Sequence, residues 1–197
     1  MGKGEDTKRR ILERATPLLN RHGYLSAPLS DIMRVTGLQK GGIYNHFASK
    51  EDLALEAFDY AIEVISRRIA QSLEGKTGAI ERLRAATGVF RNYADGDPFV
   101  GGCPLLNVAV ESDDAHPGLR RRARKTMDRW QGMFERIVAR GIERGELRAD
   151  VDPATVATVI IAALEGAVAM TNLHKDGTPM RRVLAHLDRY FDRELKK

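Results

Sequence analysis

The chain has 197 residues, of which 43% are hydrophobic and 30% are charged, an ordinary composition for a globular protein. Its longest apolar stretch, residues 156–170, is interrupted by Glu165 and is shorter than the ~20 residues that a membrane span needs. The single cysteine, Cys103, excludes an intrachain disulfide. Because the N-terminal residues are charged and no apolar run follows them, we expect a cytoplasmic protein.

The formal net charge of +5 is concentrated at one end of the chain. Residues 1–50 contain nine Lys and Arg but four Asp and Glu, whereas residues 51–197 contain 23 basic and 23 acidic residues. A basic end on an otherwise neutral chain is typical of a protein whose first segment meets a polyanion. We therefore expect residues 1–50 and residues 51–197 to be two domains with different tasks.

Apolar residues recur with the helical period along the chain, and no stretch alternates as a β-strand does. Glycine and proline stand at the ends of most periodic segments, as they do at helix termini. The sequence therefore predicts an all-α protein of about nine helices, with a small head and a larger helical domain. After a first helix that Gly23 ends, the predicted helices cover residues 28–36, 39–47, 49 onward, 78–94, 104–112, 117–145, 153–174 and 178–195.

The second and third predicted helices are short and are joined by a tight turn at Gly37, which is the arrangement of a helix-turn-helix. In the third helix, Ile43 and Phe47 lie four residues apart and define a buried side. The opposite side lacks the charged residues that normally cover an exposed helix face, so we expect another molecule to cover it. In a helix-turn-helix the second helix lies in the DNA major groove, and glycines would let its axis approach closely. The residues on that opposite side are Gly41, Gly42, Tyr44 and Asn45.

The segment GLQKGGIYNHFASKEDL, together with HGYLSAPLSDIMRVT before it, resembles the N-terminal DNA-binding domain of the TetR family of transcriptional regulators. The resemblance covers residues 8–55. It implies a regulator rather than an enzyme, most often a repressor that leaves a palindromic operator in double-stranded DNA when a small-molecule effector binds the C-terminal domain. It also implies a homodimer. The sequence itself contains no metal-ligand spacing and no cofactor-binding motif, so we expect no cofactor, metal or membrane partner.

The resemblance assigns DNA contacts to particular residues of the head. It implies that Tyr44 contacts a phosphate and that Lys50, at the start of the fourth helix, holds another phosphate. Lys40, Gly41 and Asn45 would lie at or near the edges of the bases.

Two positions depart from the family pattern and change the expected contacts. Gln39 replaces a small hydroxyl residue, and its longer amide could reach an adenine. Residues 27–28 are Ala-Pro where the family usually has two hydroxyl residues, so Ser30 or Arg34 would contact the phosphate instead. His46, at the edge of the buried side, either packs in the core or contacts DNA. The complete predicted DNA-binding set is Ser30, Arg34, Gln39, Lys40, Gly41, Gly42, Tyr44, Asn45, His46 and Lys50.

The predicted helix 153–174 carries a broad apolar surface with several alanines and Gly166, and small residues permit close helix packing. In the family, the last two helices pack against those of a second subunit as a four-helix bundle. The residues expected at the dimer interface are Val156, Ile160, Ala163, Leu164, Ala167, Leu187 and Phe191.

In the family, the middle helices enclose a small-molecule site, and aromatic linings suit such sites. Asn107 and Glu111, four residues apart on one helix, are the expected polar groups. Cys103 is either a packed thiol or a sensor of thiol-reactive compounds. The predicted effector-binding residues are Phe90, Tyr93, Cys103, Asn107, Glu111, Trp130 and Phe134.

The alternative is a helical interaction module that binds another protein through residues 156–168 and does not bind DNA. Such a module predicts a heteromer, whereas a regulator predicts a homodimer.

Overall fold

Nine α-helices make up most of the described chain in the computed structural model, which describes residues 3–95, 97–112 and 116–197. The predicted all-α fold is confirmed. A 3₁₀ turn, Tyr93–Asp95, follows α5, and a π-helical turn, Phe191–Leu195, continues α9. The helices are α1 (Lys3–His22), α2 (Leu29–Thr36), α3 (Lys40–Tyr44), α4 (Lys50–Leu73), α5 (Ala79–Gly88), α6 (Pro104–Glu111), α7 (Pro117–Glu143), α8 (Pro153–His174) and α9 (Thr178–Tyr190).

Several helix ends follow directly from local sequence. The hydroxyl of Ser49 accepts a hydrogen bond from the Asp52 N–H at 3.0 Å and so begins α4. The predicted helix 78–94 instead stops at Gly88, where glycine lowers helix propensity. The predicted helix 39–47 is shortened to one turn and a half, because the backbone leaves the regular helix after Tyr44.

The chain forms two compact units, and each unit consists of two separate segments of the sequence. Unit 1 consists of residues 1–64 and 98–124, and unit 2 consists of residues 65–97 and 125–197. The first half of α4, all of α6 and the start of α7 therefore belong with α1–α3. The predicted domain boundary after residue 50 falls at the first residue of α4.

The core of unit 1 is built on the apolar side of α1. Ile11, Ala15 and Leu19 are fully buried there, as the helical spacing predicts. The ring of Tyr24 meets that of Phe58 edge to face, with centroids 5.9 Å apart. These contacts fix the turn that follows α1 against α4.

The interior of unit 2 contains an aromatic cluster. Phe90 stacks on Tyr93 with ring centroids 5.2 Å apart and meets Trp130 edge to face at 5.9 Å. Phe134 is buried as well. These are the four aromatic residues that the sequence predicts for the effector site, and Phe90 contacts two of the others directly.

Helix α8 is apolar around its whole circumference, which is typical of a helix covered on more than one side. By length and hydropathy it resembles a membrane span, and half of its most apolar 18-residue window is buried inside the fold.

The residues that the sequence assigns to a dimer interface lie mostly inside the single chain. Six of the seven are at most 2% exposed, because α8 packs against α9 and against the 3₁₀ turn. Ala163 is half-buried. This apolar side of α8 is therefore part of the core of unit 2. The six buried residues are Val156, Ile160, Leu164, Ala167, Leu187 and Phe191.

Candidate DNA-binding surface

The turn between α2 and α3 depends on a glycine and on a contact from α1. Gly37 has φ 72°, a left-handed conformation that favours glycine, and its N–H donates to the carbonyl of Met33 at 2.9 Å. The guanidinium of Arg14 donates to the carbonyl of Thr36 at 3.1 Å. The Thr36 hydroxyl donates a hydrogen bond to the backbone carbonyl of Ile32 at 2.7 Å. The end of α2 is thus held in a defined position relative to α1.

Two buried side chains seat α3 against the rest of the helix-turn-helix. Ile43 is 1% exposed and Phe47 is 2% exposed, as their four-residue spacing predicts. Leu38 is half-buried beneath Gly42, so close that a Cβ added to Gly42 would lie 3.5 Å from the Leu38 Cβ. These contacts determine which side of α3 faces outward.

Much of the outward side of α3 is exposed to solvent. An added Cβ at Gly41 would meet no atom within 4 Å. Lys40 extends along the side, with its ammonium 5.9 Å from the centroid of the Tyr44 ring. Gln39, Lys40, Gly41 and Asn45 are exposed, and Gly42, Tyr44 and His46 are half-buried.

Two basic residues near α3 form ion pairs with carboxylates of the chain, whereas Lys40 does not among the described residues. Lys8 forms an ion pair with Glu56 at 2.7 Å, and Arg34 pairs with Asp31 at 3.2 Å. Among the described residues, no carboxylate pairs with Lys40. Its ammonium is therefore available to a DNA phosphate or to a hydrogen-bond acceptor on a base edge.

The flanking residues of the predicted set lie at the ends of α2 and α4. Ser30 and Arg34 are exposed on α2. Lys50 is half-buried, and its ammonium donates to the carbonyl of Leu25 at 2.6 Å. Lys50 therefore holds the α1–α2 turn in addition to its predicted phosphate contact.

Sequence reasoning did not anticipate that α6 contacts this head. The Glu111 carboxylate accepts the backbone N–H groups of Tyr24 and Leu25, and Asn107 donates to the carbonyl of Asn20. The only indication of this contact in the sequence is the four-residue spacing of Asn107 and Glu111, which places both on one side of α6. Their predicted role in binding an effector remains a prediction.

Burial also determines the ionisation of Tyr24. Its side chain is fully buried, and desolvation raises the pKa of the phenol well above its ordinary value, with further contributions from Cys103 and Glu111. The phenol is therefore neutral at physiological pH. Cys103 itself is fully buried at the start of α6.

The predicted effector residues divide between the two units. Cys103, Asn107 and Glu111 belong to unit 1, and the four aromatic residues belong to unit 2. A separate concavity of about 410 Å³ in unit 2 has Met133 and Ile137 in its wall, and none of its lining residues is in the predicted set. Its basic lining residues are Lys76, Arg82, Arg136, Arg140 and Arg144.

Two family models match the chain. The model described as bacterial regulatory proteins of the tetR family matches residues 11–57, and the model described as the tetracyclin repressor-like C-terminal domain matches residues 79–187. The first range contains the complete helix-turn-helix, and the second begins at α5 and ends within α9.

Individual relatives match over nearly the whole chain. The HTH-type transcriptional repressor DhaR of Mycobacterium sp. (strain GP1) is 25% identical and covers 90% of this chain and 88% of its own. The HTH-type transcriptional regulator LmrA of Bacillus subtilis (strain 168) is 28% identical, with coverage of 90% and 93%.

Solved structures show the same fold. A TetR transcriptional regulator from Chloroflexus aurantiacus J-10-FL is 45% identical, with a TM-score of 0.95 and coverage of 100% and 99%. A regulator from Saccharomonospora viridis, solved in complex with choline, is 26% identical, with a TM-score of 0.83 and coverage of 98% and 99%. With a helix-turn-helix whose reading side is open and with matches in both halves, the chain belongs to the TetR family of transcriptional regulators, which are DNA-binding proteins rather than enzymes.

Proposed function

We propose that the protein is a cytoplasmic, homodimeric repressor that binds a palindromic operator and releases it when a small molecule binds the C-terminal domain. The observation that carries the proposal is the exposed side of α3, where a Cβ added at Gly41 would meet no atom within 4 Å and Lys40 has no carboxylate partner among the described residues. A duplex is the polyanion that a helix-turn-helix of this shape accommodates.

The residues of the head divide into two kinds of contact. Tyr44 and Lys50 suit phosphates, because a phenol and an ammonium donate hydrogen bonds without reading sequence. Lys40 and Asn45 suit base edges, since lysine pairs with guanine and asparagine with adenine in the major groove. On this division, affinity depends on the first pair and sequence preference on the second.

A homodimer follows from the amount of sequence that one short helix can read. Two heads bound to half-sites one helical turn apart double the contacts and require a palindromic site. Helix α8 supports the dimer with an exposed apolar stripe at three- and four-residue spacing, which a second copy would cover. The stripe consists of Val159, Ala162, Gly166, Met170 and Leu173.

Repression and effector response are supported by the relatives and by unit 2. DhaR is a repressor, and the S. viridis regulator of the same fold binds choline. The aromatic cluster of Phe90, Tyr93 and Trp130 is the type of interior that binds a small apolar or cationic molecule. We expect the effector to bind more tightly to a dimer whose heads are too far apart for successive major grooves. Such an effector lowers the affinity for DNA, and DNA lowers the affinity for the effector by the same factor.

The experiment begins with the purified full-length chain and a pool of random-sequence duplexes. Several rounds of selection are expected to enrich a palindrome, and a labelled duplex carrying it should shift in a mobility assay. Affinity should fall steeply as salt rises from ~50 mM to ~200 mM, as for any protein that neutralises several phosphates. Failure to enrich any sequence, with no shift at low salt, would refute the proposed function.

Sedimentation of the chain alone separates the regulator from an interaction module. The proposed repressor sediments as a dimer at micromolar concentration. A monomer that binds no duplex would instead support the interaction module, in which the exposed stripe on α8 binds a different protein.

A further inference from the structure

The last residue of α6 holds the turn that precedes the helix-turn-helix. One carboxylate oxygen of Glu111 accepts the backbone N–H of Tyr24 at 2.7 Å, and the other accepts the N–H of Leu25 at 2.9 Å. The Ser26 hydroxyl lies 3.3 Å from the second oxygen. Within the described residues, no Lys or Arg pairs with this carboxylate. Its charge is therefore balanced by backbone donors, in hydrogen bonds that are stronger than neutral ones.

The geometry of the turn is built around this carboxylate. Gly23 has φ 97°, and an added Cβ there would lie 2.9 Å from the nearer oxygen of Glu111. A side chain at this position would collide with the carboxylate as well as strain the backbone. Tyr24 is fully buried against Phe58, so its N–H would be a buried donor without a partner if the carboxylate were absent.

A second contact, one helical turn earlier on α6, holds the end of α1. The side-chain amide of Asn107 donates to the backbone carbonyl of Asn20 at 3.0 Å, near the C-terminus of α1. In return, the amide of Asn20 donates to the carbonyls of Val100 at 3.0 Å and Gly102 at 2.9 Å. Asn20 is 3% exposed, and these contacts are buried or partly buried. The bond from Asn107 satisfies a carbonyl that the end of α1 leaves unpaired.

The turn is held from both sides at a single residue. The N–H of Leu25 donates to Glu111, and its carbonyl accepts the Lys50 ammonium at 2.6 Å. Helix α2 begins four residues later, at Leu29. A movement of α6 relative to α4 would therefore act directly on the segment that leads into the helix-turn-helix.

From these contacts we infer that Glu111 is a positioning residue for DNA binding. Its carboxylate sets the orientation of α2 and α3 by fixing the α1–α2 turn on α6, and Asn107 supports it. The inference rests on the proposed function, because it concerns the affinity of the head for an operator. It assigns Glu111 to the contact between α6 and the head, whereas the sequence assigns it to the effector.

The test compares Glu111→Ala and Glu111→Gln with the wild type. The matched control is Val110→Ala, because Val110 is the preceding residue of α6 and is 73% exposed. Affinity is measured by fluorescence anisotropy for two duplexes: the one selected by the wild-type chain and a scrambled duplex of equal length at low salt. Amide hydrogen exchange at residues 24 and 25 is measured in the absence of DNA.

Glu111→Ala should weaken binding to the selected duplex by about tenfold, the effect of losing hydrogen bonds to a charged group, while binding to the scrambled duplex changes little. Exchange at residues 24 and 25 should accelerate by a similar factor. Glu111→Gln keeps one acceptor oxygen, so its losses should be smaller, and Val110→Ala should match the wild type. A purely structural role would lower both affinities together, in proportion to the folded fraction.

The outcomes distinguish this inference from the proposed function. If the wild type binds its duplex and Glu111→Ala binds both duplexes like the wild type, the inference is wrong and the proposed function stands. Equal losses on both duplexes would also overturn it. If the wild type selects no duplex, the proposed function fails first and the positioning role fails with it.

Discussion

The ammonium of Lys50 donates a hydrogen bond to the carbonyl of Leu25 at 2.6 Å, which ties the first residue of α4 to the α1–α2 turn. An ammonium has three donors, so this bond leaves two for a phosphate. One side chain thus serves both the fold of the head and the predicted contact with DNA.

Replacing Lys50 with glutamine should weaken binding to scrambled as well as selected duplexes, because a phosphate contact carries no sequence information, and the loss of the Leu25 contact should add to the loss on the selected duplex. The slope of log K against log salt should become shallower by about 0.9, the contribution of one neutralised phosphate. Anisotropy titrations at several salt concentrations measure both effects. Lys175→Gln, which removes an exposed lysine after α8, should keep the wild-type slope. An unchanged slope for Lys50→Gln would mean that Lys50 only holds the turn.

Gly41 allows stability and DNA binding to be separated. Its added Cβ meets nothing within 4 Å, so alanine fits the fold and should stabilise α3 by up to about 1 kcal/mol through helix propensity. DNA affinity should nevertheless fall, because the methyl group occupies the space that the duplex requires. Thermal unfolding and anisotropy measure the two effects. Gly88→Ala, on α5 where an added Cβ also meets nothing within 4 Å, should leave DNA affinity unchanged. Wild-type affinity for Gly41→Ala would show that this part of α3 does not approach the bases.

The head could be predicted from sequence because its determinants are local. Gly37 ends α2, and Ile43 and Phe47 determine the buried side of α3, all within eleven residues. The contact between Glu111 and Tyr24 could not be predicted, because the two residues are 87 positions apart. Spacing on α6 indicates that Asn107 and Glu111 share a side, but it contains no information about what that side meets.

Helix α8 shows a second limit of sequence patterns. A helix that is apolar all round has no single preferred buried side, so its packing depends on the elements around it. Here α8 packs against α9 and against the 3₁₀ turn, and Val156, Ile160 and Leu164 are buried. The sequence indicates correctly that α8 is apolar on a broad surface, but only the fold shows which part of that surface is left exposed.

Asp152 gives a prediction about pH. Hydrogen bonds from the Thr155 hydroxyl and backbone N–H hold the pKa of the Asp152 carboxyl below its ordinary value of 3.8. Because the folded-state pKa is the lower one, the stabilisation is complete above the ordinary value and is lost as the pH falls through the lowered pKa.

Asp152→Ala should therefore lower the melting temperature at pH 7, and the difference from the wild type should narrow as the pH falls below 3.8. Melting curves followed by circular dichroism between neutral and acidic pH measure the difference. Asp128→Ala, which removes an exposed carboxyl in the middle of α7, controls for the loss of a charge without the loss of a helix cap. A difference that stays constant across this range would exclude the capping interaction as its cause.

Gly166 tests the dimer through the exposed side of α8. Val159 and Leu173, toward the two ends of the stripe, are 45% and 81% exposed in the single chain, and an added Cβ at Gly166 between them meets nothing within 4 Å. Gly166→Arg should therefore fold normally but prevent a second α8 from packing closely, because small residues are what permit such an approach. We expect a helical monomer, detected by sedimentation equilibrium and circular dichroism. It should bind the palindromic duplex more weakly than the wild type, since each head then binds its half-site alone.

The matched control is Gly88→Arg, which introduces the same side chain at a half-buried position on α5 where an added Cβ also meets nothing within 4 Å. This variant should sediment as the wild type does. If Gly166→Arg remains a dimer of wild-type stability, the two subunits meet elsewhere, and the stripe on α8 is free for a different partner. If both variants dissociate, the added positive charge rather than the position is responsible. Only dissociation confined to Gly166→Arg assigns the symmetric contact to the side of α8 that the fold leaves uncovered.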